Sequence, residues 1–308
     1  MVGRSRWASP YAGLVTPSST GADFRYVLDV PIVFEVVGGA AVHSAMVHAT
    51  LGGVATRLIL DTGSTDHVLT KALVDEVGLP TEAGEPGTDH AGAPVPSWSV
   101  GEAVIEIGGH ALDLHSVIAI EGPPPFVGWG VGGFLSPQAL HPSSWIVIDL
   151  VSDRLVLLEA SDPALDRWLA DRDPSLRRLK LPRVREASTV VVCAAIDPGR
   201  EVETMLNTGG RSTEFSSAVV PADPATDVHH GGTGLSGTGV MGRRVGPRTL
   251  RVGGDDGARI PIDDLVVRDG MEDPPAMVGS DLLRGTILVF AADTERDVRW
   301  LIPIYRGG

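Results

Sequence analysis

An internal repeat constrains the fold of this chain more than any other feature of its sequence. Residues 58 to 64 read Leu-Ile-Leu-Asp-Thr-Gly-Ser, and residues 205 to 210 read Met-Leu-Asn-Thr-Gly-Gly. Asp61 is followed 71 positions later by Gly132, and Asn207 is followed 72 positions later by Gly279. Self-similarity at a matched spacing is the signature of a repeated structural unit, so the sequence predicts two related lobes.

The segments around the two copies follow the same order. Strand, turn and strand patterns cover residues 47 to 60 and 190 to 206, and stretches rich in glycine and polar residues follow at 83 to 98 and 229 to 243. Alternating strand patterns and Gly-Gly turns come next. The sequence therefore predicts an all-β fold with few short helices, one of them over residues 69 to 78 and another over 164 to 170.

These patterns also divide the chain. We expect an N-terminal extension over residues 1–24, lobe one over 25–160 and lobe two over 186–304. The segment between the lobes, residues 161–185, contains three prolines and is predicted to be a linker.

Composition excludes several partners and gives a default location. The formal net charge is −14, and the chain has only two lysines. Nucleic acids and anionic membrane surfaces both require a basic face, so neither is an expected partner. The first 26 residues contain no apolar stretch of the ~7 to 15 residues that a signal peptide needs, which predicts a cytoplasmic protein. Cys193 is the only cysteine, so no disulfide can form within the chain.

The first copy of the repeat presents an acidic side chain. An apolar strand that ends in Asp-Thr-Gly places the carboxylate of Asp61 at the mouth of the strand. We expect Thr62 to hydrogen-bond across the loop, and Gly63 to permit a backbone turn closed to bulkier residues. In the second copy Asn207 replaces the acid and Gly210 replaces Ser64, so only lobe one has a hydroxyl able to hydrogen-bond the carboxylate.

Together, the Asp-Thr-Gly-Ser loop, the glycine-rich flap segments and the sequence Met-Val-Gly-Ser-Asp-Leu-Leu at 277 to 283 resemble the retropepsin-like and pepsin-like aspartic peptidases. The resemblance covers most of both lobes and implies two homologous β-barrel lobes of acid-protease type, related by a pseudo-twofold axis. It also implies a peptide-binding cleft under two flaps, no metal, no organic cofactor, and an extended polypeptide as substrate or ligand. An uncharged cleft would favour apolar side chains near the scissile bond.

The resemblance assigns roles to individual residues. Asp61 would be a catalytic aspartate, and Asn207 would stand at the matching catalytic place in lobe two. The residues expected to bind substrate come from the two loops and the two flaps: Thr62, Gly63, Ser64, Thr208, Gly209, Trp98, Gly234, Ser236 and Gly237.

Asn207 departs from the family pattern at the chemistry itself. Two carboxyl groups at such a site share one proton, and both must titrate during the reaction. An asparagine amide can donate a hydrogen bond but cannot pass on a proton. The sequence therefore leaves several functions open.

In the first, the protein is an aspartic-type endopeptidase in which Asp61 activates water. Its second carboxylate would come from Asp61 of another chain in a homodimer, or from a lobe-two acid such as Glu203 or Glu214. In the second, a pseudopeptidase binds extended peptides without cleaving them. The chain is expected to be a monomer with pseudo-twofold lobes, and a homodimer is the alternative. In the third, the site is a structural relic.

Two other patterns have simpler explanations than a bound nucleotide or metal. The sequence Gly-Thr-Gly-Leu-Ser-Gly at 232 to 237 fits a dinucleotide-binding pattern but lacks the strand and helix which that motif requires, so a flap tip is the better interpretation. The nine histidines show no zinc-binding spacing. His67, six residues after Asp61, is expected to face the exterior of the lobe, although an imidazole near the cleft could shift the ionisation of Asp61.

Overall fold

The computed structural model describes most of the chain. The described residues are 26–34, 36–37, 40–41, 44–89, 91–141, 144–159, 161–184, 189–221, 228–236, 238–254, 257–291 and 296–304. The predicted N-terminal extension, residues 1–24, and the flap residue Gly237 lie outside this set.

Strands dominate the described residues and are numbered β1 to β28 in chain order. The first sixteen strands are Tyr26–Pro31, Val36–Val37, Ala40–Ala41, Met46–Leu51, Val54–Leu60, His67–Thr70, Thr81–Ala83, Gly87–Thr88, Pro94–Val95, Ser97–Val100, Ala103–Ile107, His110–Leu114, Val117–Ile120, Val131–Leu135, Ser144–Asp149 and Arg154–Glu159. The other twelve, β17 to β28, are Leu176–Leu181, Val191–Ile196, Val202–Leu206, Glu214–Ser216, Val228–Thr233, Gly239–Val245, Arg248–Val252, Ala258–Ile262, Leu265–Arg268, Ala276–Val278, Ile287–Ala291 and Val298–Pro303.

Helices are few and short. The α-helices α1 to α4 are Lys71–Val77, Pro124–Trp129, Asp162–Ala170 and Ser280–Leu283, and a 3₁₀ helix covers Pro137–Ala139. None of the helices in the described part of the chain has the length and apolar content needed to cross a bilayer. The predicted all-β fold with few short helices is confirmed.

Two nine-stranded sheets have the same strand order. The lobe-one sheet runs β12-β11-β4-β5-β14-β6-β13-β10-β7, and the lobe-two sheet, read in the same sense, runs β24-β23-β18-β19-β26-β20-β25-β22-β21. In each sheet one strand lies between two others, parallel to the first and antiparallel to the second: β14 lies between β5 and β6, and β26 lies between β19 and β20. The two repeat copies therefore occupy equivalent places, at the ends of β5 and β19.

A six-stranded central sheet joins the two halves of the chain. Its order is β1-β16-β15-β27-β28-β17, so three strands from each half meet at the antiparallel pair β15 and β27. The segment predicted to be a linker, residues 161–185, contains α3 and β17, and β17 forms one edge of this sheet. A buried cluster that includes Trp145, Trp168 and Leu301 packs α3 against the sheet.

Helices α1 and α3 follow from local sequence signals, and both predicted helices are confirmed. The hydroxyl of Thr70 caps the start of α1 by accepting a hydrogen bond from the Leu73 N–H. Gly78 ends α1 in the left-handed conformation, at φ 76°. In α3, Leu165, Trp168 and Leu169 are buried at the spacing of one helical face.

Candidate active site

The two repeat loops contact each other. Asp61 follows β5 and its backbone N–H donates to Leu135 O at 3.0 Å, while the N–H of Asn207, after β19, donates to Val278 O at 2.9 Å. Strands β14 and β26, which supply these carbonyls, thus fix both loops in the same way.

Thr62 and Thr208 lock the loops together through reciprocal hydrogen bonds. The Thr62 hydroxyl donates to Leu206 O at 2.5 Å, and the Thr208 hydroxyl donates to Leu60 O at 2.6 Å. The Thr62 hydroxyl also accepts the Thr208 backbone N–H at 3.0 Å, and the Thr208 hydroxyl accepts the Thr62 backbone N–H at 3.2 Å. Both threonines are fully buried. The predicted hydrogen bond of Thr62 therefore crosses to the other lobe, and these threonines position the site without lining the cleft.

Gly63 and Gly209 allow the functional side chains to approach each other. A Cβ atom on Gly63 would lie 2.8 Å from Asn207 Nδ2, and one on Gly209 would lie 2.5 Å from Asp61 Cγ. Neither glycine adopts the left-handed region. The expected reason for Gly63, a turn closed to bulkier residues, is therefore wrong, because what excludes a side chain here is the opposite loop.

The side chains of Asp61 and Asn207 have defined orientations. Asp61 Oδ1 accepts the Gly63 N–H at 2.9 Å. Asn207 Oδ1 accepts two backbone N–H groups, from Gly209 at 2.8 Å and Gly210 at 3.0 Å. An atom that accepts two N–H groups must be the amide oxygen. The amide nitrogen Nδ2 is therefore the atom that can donate a hydrogen bond in the site, and it also contacts Met277 Sδ at 3.2 Å.

Buried polar groups support the Asp61 loop from behind. Gln138 Nε2 donates to the carbonyl oxygens of Thr62 and Ser64, and the Ser136 hydroxyl donates to Ser64 O at 2.9 Å. The Ser64 hydroxyl donates to Asp66 O at 2.7 Å. The hydroxyl expected to bond the Asp61 carboxylate instead closes its own loop.

His67 belongs to this support, and the expectation that it faces the exterior is wrong. The side chain is fully buried, and its Nδ1 accepts the Ser136 N–H at 3.3 Å. Burial lowers the pKa of His67 to about 4, against an opposing contribution from the Ala139 backbone. The imidazole is therefore neutral at neutral pH, and the hydrogen bond that it accepts holds the 3₁₀ segment against the Asp61 loop.

In lobe two an acidic side chain, Asp281, supports the Asn207 loop from behind. Asp281 accepts the backbone N–H of Thr213 at 2.9 Å and its hydroxyl at 2.7 Å. Burial raises the pKa of Asp281, although the bonds from Thr213 oppose the shift. The two loops thus have similar geometry where they face the cavity, but different side chains support them from behind, namely Gln138, Ser136 and His67 in lobe one and Asp281 in lobe two.

A cavity of about 700 Å³ opens over Asp61 and Asn207. Its walls include Ser44, Gly63, Ser64 and Gly209 near the loops, and Arg211, Glu214, Arg268 and Met277 from lobe two. The expectation of an uncharged cleft is therefore wrong for the lobe-two wall.

Two flaps cross this cavity and bond to each other. Flap one is the β8–β9 hairpin, residues 87–95, and flap two is the β21–β22 hairpin, residues 228–245. Asp89 Oδ1 accepts the N–H groups of Ala91 and Ala93 in flap one, while Oδ2 accepts the N–H of Ser236 at 2.9 Å and its hydroxyl at 2.7 Å. Burial alone would raise the pKa of Asp89, but these hydrogen bonds outweigh it and lower the pKa. Asp89 is thus an ionised latch between the flaps, which no pattern in the sequence predicted.

The other flap predictions have mixed outcomes. Gly234 and Ser236 are at the tip of flap two, and a Cβ on Gly234 would lie 2.1 Å from Asp89 Oδ2. Trp98 lies on β10, where its ring packs on the core and lies 5.7 Å from Lys71 Nζ. It is not among the described residues that line the cavity.

The aspartyl protease family model matches residues 47–129. The matched segment contains Asp61, the lobe-one flap and strands β5 to β13. It supports a peptidase-type hydrolase at the level of the family, and it ends well before Asn207. No curated protein matches the chain.

The first prediction concerns His67 and acid. An unfolded chain binds a proton near the ordinary pKa of 6.5, whereas folded His67 resists it until about pH 4. The contribution of His67 to the free energy of unfolding should therefore be fully present above pH 6.5 and fall by about 3 kcal/mol as the pH drops to about 4. Urea titrations at half-unit pH steps would measure this. His67→Gln should reduce the slope, and Ser99→Ala, which alters a hydroxyl on β10 and no ionisable group, should not; an unchanged slope in His67→Gln would contradict the assignment.

The second prediction concerns the latch. Asp89→Asn leaves an acceptor for the N–H groups of Ala91 and Ala93 but places either an amide donor or a weaker acceptor next to Ser236. Ser236→Ala removes one of the two hydrogen bonds between the flaps, the one from its hydroxyl. Hydrogen exchange of the flap-two amides should accelerate about 10- to 100-fold in Asp89→Asn, and less in Ser236→Ala, because hydrogen bonds to charged groups contribute about 1.5–3 kcal/mol.

Ser99→Ala is the matched control, because Ser99 lies on β10 and its hydroxyl bonds Glu82 O at 3.4 Å, within lobe one. Its flap exchange should equal that of the native protein. Flaps that exchange at native rates in Asp89→Asn would refute the latch.

Proposed function

We propose that this protein is an aspartic-type endopeptidase-like hydrolase that acts on extended polypeptides through water activated by Asp61. The observation that carries the proposal is the Asp61–Asn207 pair, fixed by the reciprocal threonine bonds at the base of a flap-covered cleft. The family match over residues 47–129 supports the same class of chemistry.

The proposed reaction uses one proton carrier. Ionised Asp61 takes a proton from water while the hydroxyl oxygen bonds to the peptide carbonyl carbon. The Nδ2–H of Asn207 donates a hydrogen bond to the carbonyl oxygen as negative charge develops there. Protonated Asp61 then gives its proton to the leaving nitrogen, the C–N bond breaks, and the products are a carboxylic acid and an amine.

Asn207 limits the rate of this reaction. In a pair of carboxyl groups the second acid can transfer a proton to the oxyanion, whereas an amide only shares a hydrogen bond. General acid–base catalysis contributes about 10² to 10⁴ in rate, and a loss within that range is expected here.

The same observation favours a second candidate, a pseudopeptidase that binds extended peptides. Asn207 Oδ1 is saturated by two backbone donors, an arrangement that holds the amide rigidly but gives the reaction no second acid. The flap hairpins offer strand edges to which an extended peptide can add by backbone hydrogen bonds.

Other sources of a second carboxylate have less support. The place that Asp61 of another chain would need is occupied by the Asn207 loop of the same chain, which favours a monomer over a homodimer. Glu214 is paired with Arg268 at 2.9 Å, and Glu203 lies on β19 opposite Cys193, outside the cavity lining. The cytoplasmic location and the exclusion of nucleic acid and membrane partners stay predictions from composition.

Cleavage and binding separate the two candidates. Native protein, Asp61→Ala, Asp61→Asn and Asn207→Asp would be incubated with a denatured protein digest from pH 4.5 to 8, and new termini counted by mass spectrometry. We expect slow native cleavage, none in either Asp61 variant, and an increase of about 10² to 10⁴ in Asn207→Asp, whose new carboxylate can keep the bonds from Gly209 and Gly210.

Peptide retention by each protein, measured in parallel, completes the test. Retention without native cleavage, and with cleavage gained in Asn207→Asp, would favour the pseudopeptidase. Native cleavage that persists in Asp61→Ala would contradict the proposed mechanism, and neither retention nor cleavage in any form would refute both candidates.

A further inference from the structure

The two walls of the cleft carry different chemistry at corresponding positions. Val68 is the seventh residue after Asp61 and pairs with Phe134 across β6 and β14. Glu214 is the seventh residue after Asn207 and pairs with Met277 across β20 and β26. Since the strand orders of the two sheets match, Val68 and Glu214 are equivalent.

A second equivalence follows from the neighbouring strands. In lobe one, Thr70 on β6 pairs with Ile120 on β13, and in lobe two Ser216 on β20 pairs with Arg268 on β25. Ile120 and Arg268 therefore also correspond. Lobe one has Val68, Ile120 and Phe134 in one buried apolar cluster, whereas lobe two has an ion pair at the corresponding place.

The ion pair is buried and borders the cleft. Arg268 Nη1 donates to Glu214 Oε2 at 2.9 Å, and both residues line the cavity. Glu214 is 2% exposed and Arg268 is 8% exposed, so Arg268 is the more accessible partner. Arg211, an exposed residue, lines the same wall.

Stability alone gives little reason for this pair. Buried ion pairs lose much hydration, and their replacement by apolar residues of similar size is often neutral or stabilising. The other lobe of this protein has such an apolar arrangement at the same positions. A role in ligand recognition explains why an ion pair occupies these positions in lobe two, where lobe one has apolar residues.

We propose that the Glu214–Arg268 pair makes the lobe-two wall a specificity site for a peptide side chain that ends in an acceptor oxygen, a carboxamide or a carboxylate. Guanidinium groups only donate hydrogen bonds, and the planar fork of Arg268 suits such an end group. Glu214 fixes the orientation of the guanidinium from beneath. Exposed Glu272 and Asp273 also line the cavity, so the carboxamide should bind at least as well as the carboxylate.

The wall of lobe one has the opposite preference. Phe134 borders the cavity and is backed by Val68 and Ile120, which suits an apolar side chain. The inference rests on the proposed function, since it assumes an extended peptide in the cleft. It makes the ligand asymmetric, with an apolar residue toward lobe one and an acceptor-bearing residue toward lobe two.

Fluorescent octapeptides would test the preference by binding, so that the result does not depend on cleavage. In each peptide one position near the middle of the sequence would be varied to Gln, Glu, Met or Lys. Met is included because it is apolar and similar in length to Gln and Glu. At one position Gln and Glu should bind about 10- to 100-fold more tightly than Met, the range expected for a hydrogen bond to a charged group.

A double variant that copies the apolar residues of lobe one provides the structural test. Glu214→Val with Arg268→Ile removes both charges together and should reverse the preference at that position toward Met. Arg251→Met is the matched control, because Arg251 pairs with Asp197 at 2.9 Å outside the cavity lining, and its profile should equal the native one.

The native profile decides the inference even if the double variant fails to fold. Tighter binding of Met or Lys peptides, or no discrimination at any position, would overturn it and leave the proposed peptide binding intact. The same preference in a folded double variant would also overturn it. Failure of every peptide to bind would overturn the proposed function, and this inference with it.

Discussion

The reciprocal bonds of Thr62 and Thr208 are the interaction on which the site depends. Each hydroxyl donates into the strand that precedes the other loop and accepts the opposite backbone N–H, so neither loop can move without breaking buried hydrogen bonds. A buried donor or acceptor left without its partner costs about 1–3 kcal/mol, and four such bonds are coupled here. This arrangement fixes the distance between the lobes, and the glycines that follow each threonine then allow Asp61 and Asn207 to face one another.

Asn207 stands where the other copy of the repeat has Asp61, and the scaffold accepts this difference because the two roles of the residue are separable. Its Oδ1 atom accepts backbone N–H groups as a carboxylate oxygen would, so the local fold keeps the same acceptor. The outward atom changes from a titrating oxygen to an N–H donor. The substitution also removes a like charge from the neighbourhood of Asp61, so the proton sharing that couples two carboxyl groups has no counterpart. Structure and proton chemistry are thus controlled by different atoms of one side chain.

The sequence predicts the features that depend on local pattern. The repeat around Asp61 and Asn207 locates both loops, the alternating segments predict the all-β fold, and the glycine after α1 ends that helix as expected. Features that depend on contacts between distant segments were not predictable. His67 occupies a strand position whose burial depends on the 3₁₀ segment near residue 138, and the partner of Asp89 lies 147 positions away on the other flap. Glu214 was considered only as a source of a second carboxylate, because nothing near it in sequence reveals its ion pair with Arg268.

The order of the central sheet bears on how the molecule assembles during synthesis. Strand β15 pairs with β27, and β17 at one edge pairs with β28, the final strand of the described chain. Long-range strand pairing is slow because the intervening chain loses entropy before any contact is gained. An emerging polypeptide can complete the lobe-one sheet early, but the central sheet must wait for its last strands. The Asn207 loop is held by Val278 of β26, so Asp61 has no fixed opposing loop until the chain has folded through that strand, and any hydrolytic activity would arise only after that point.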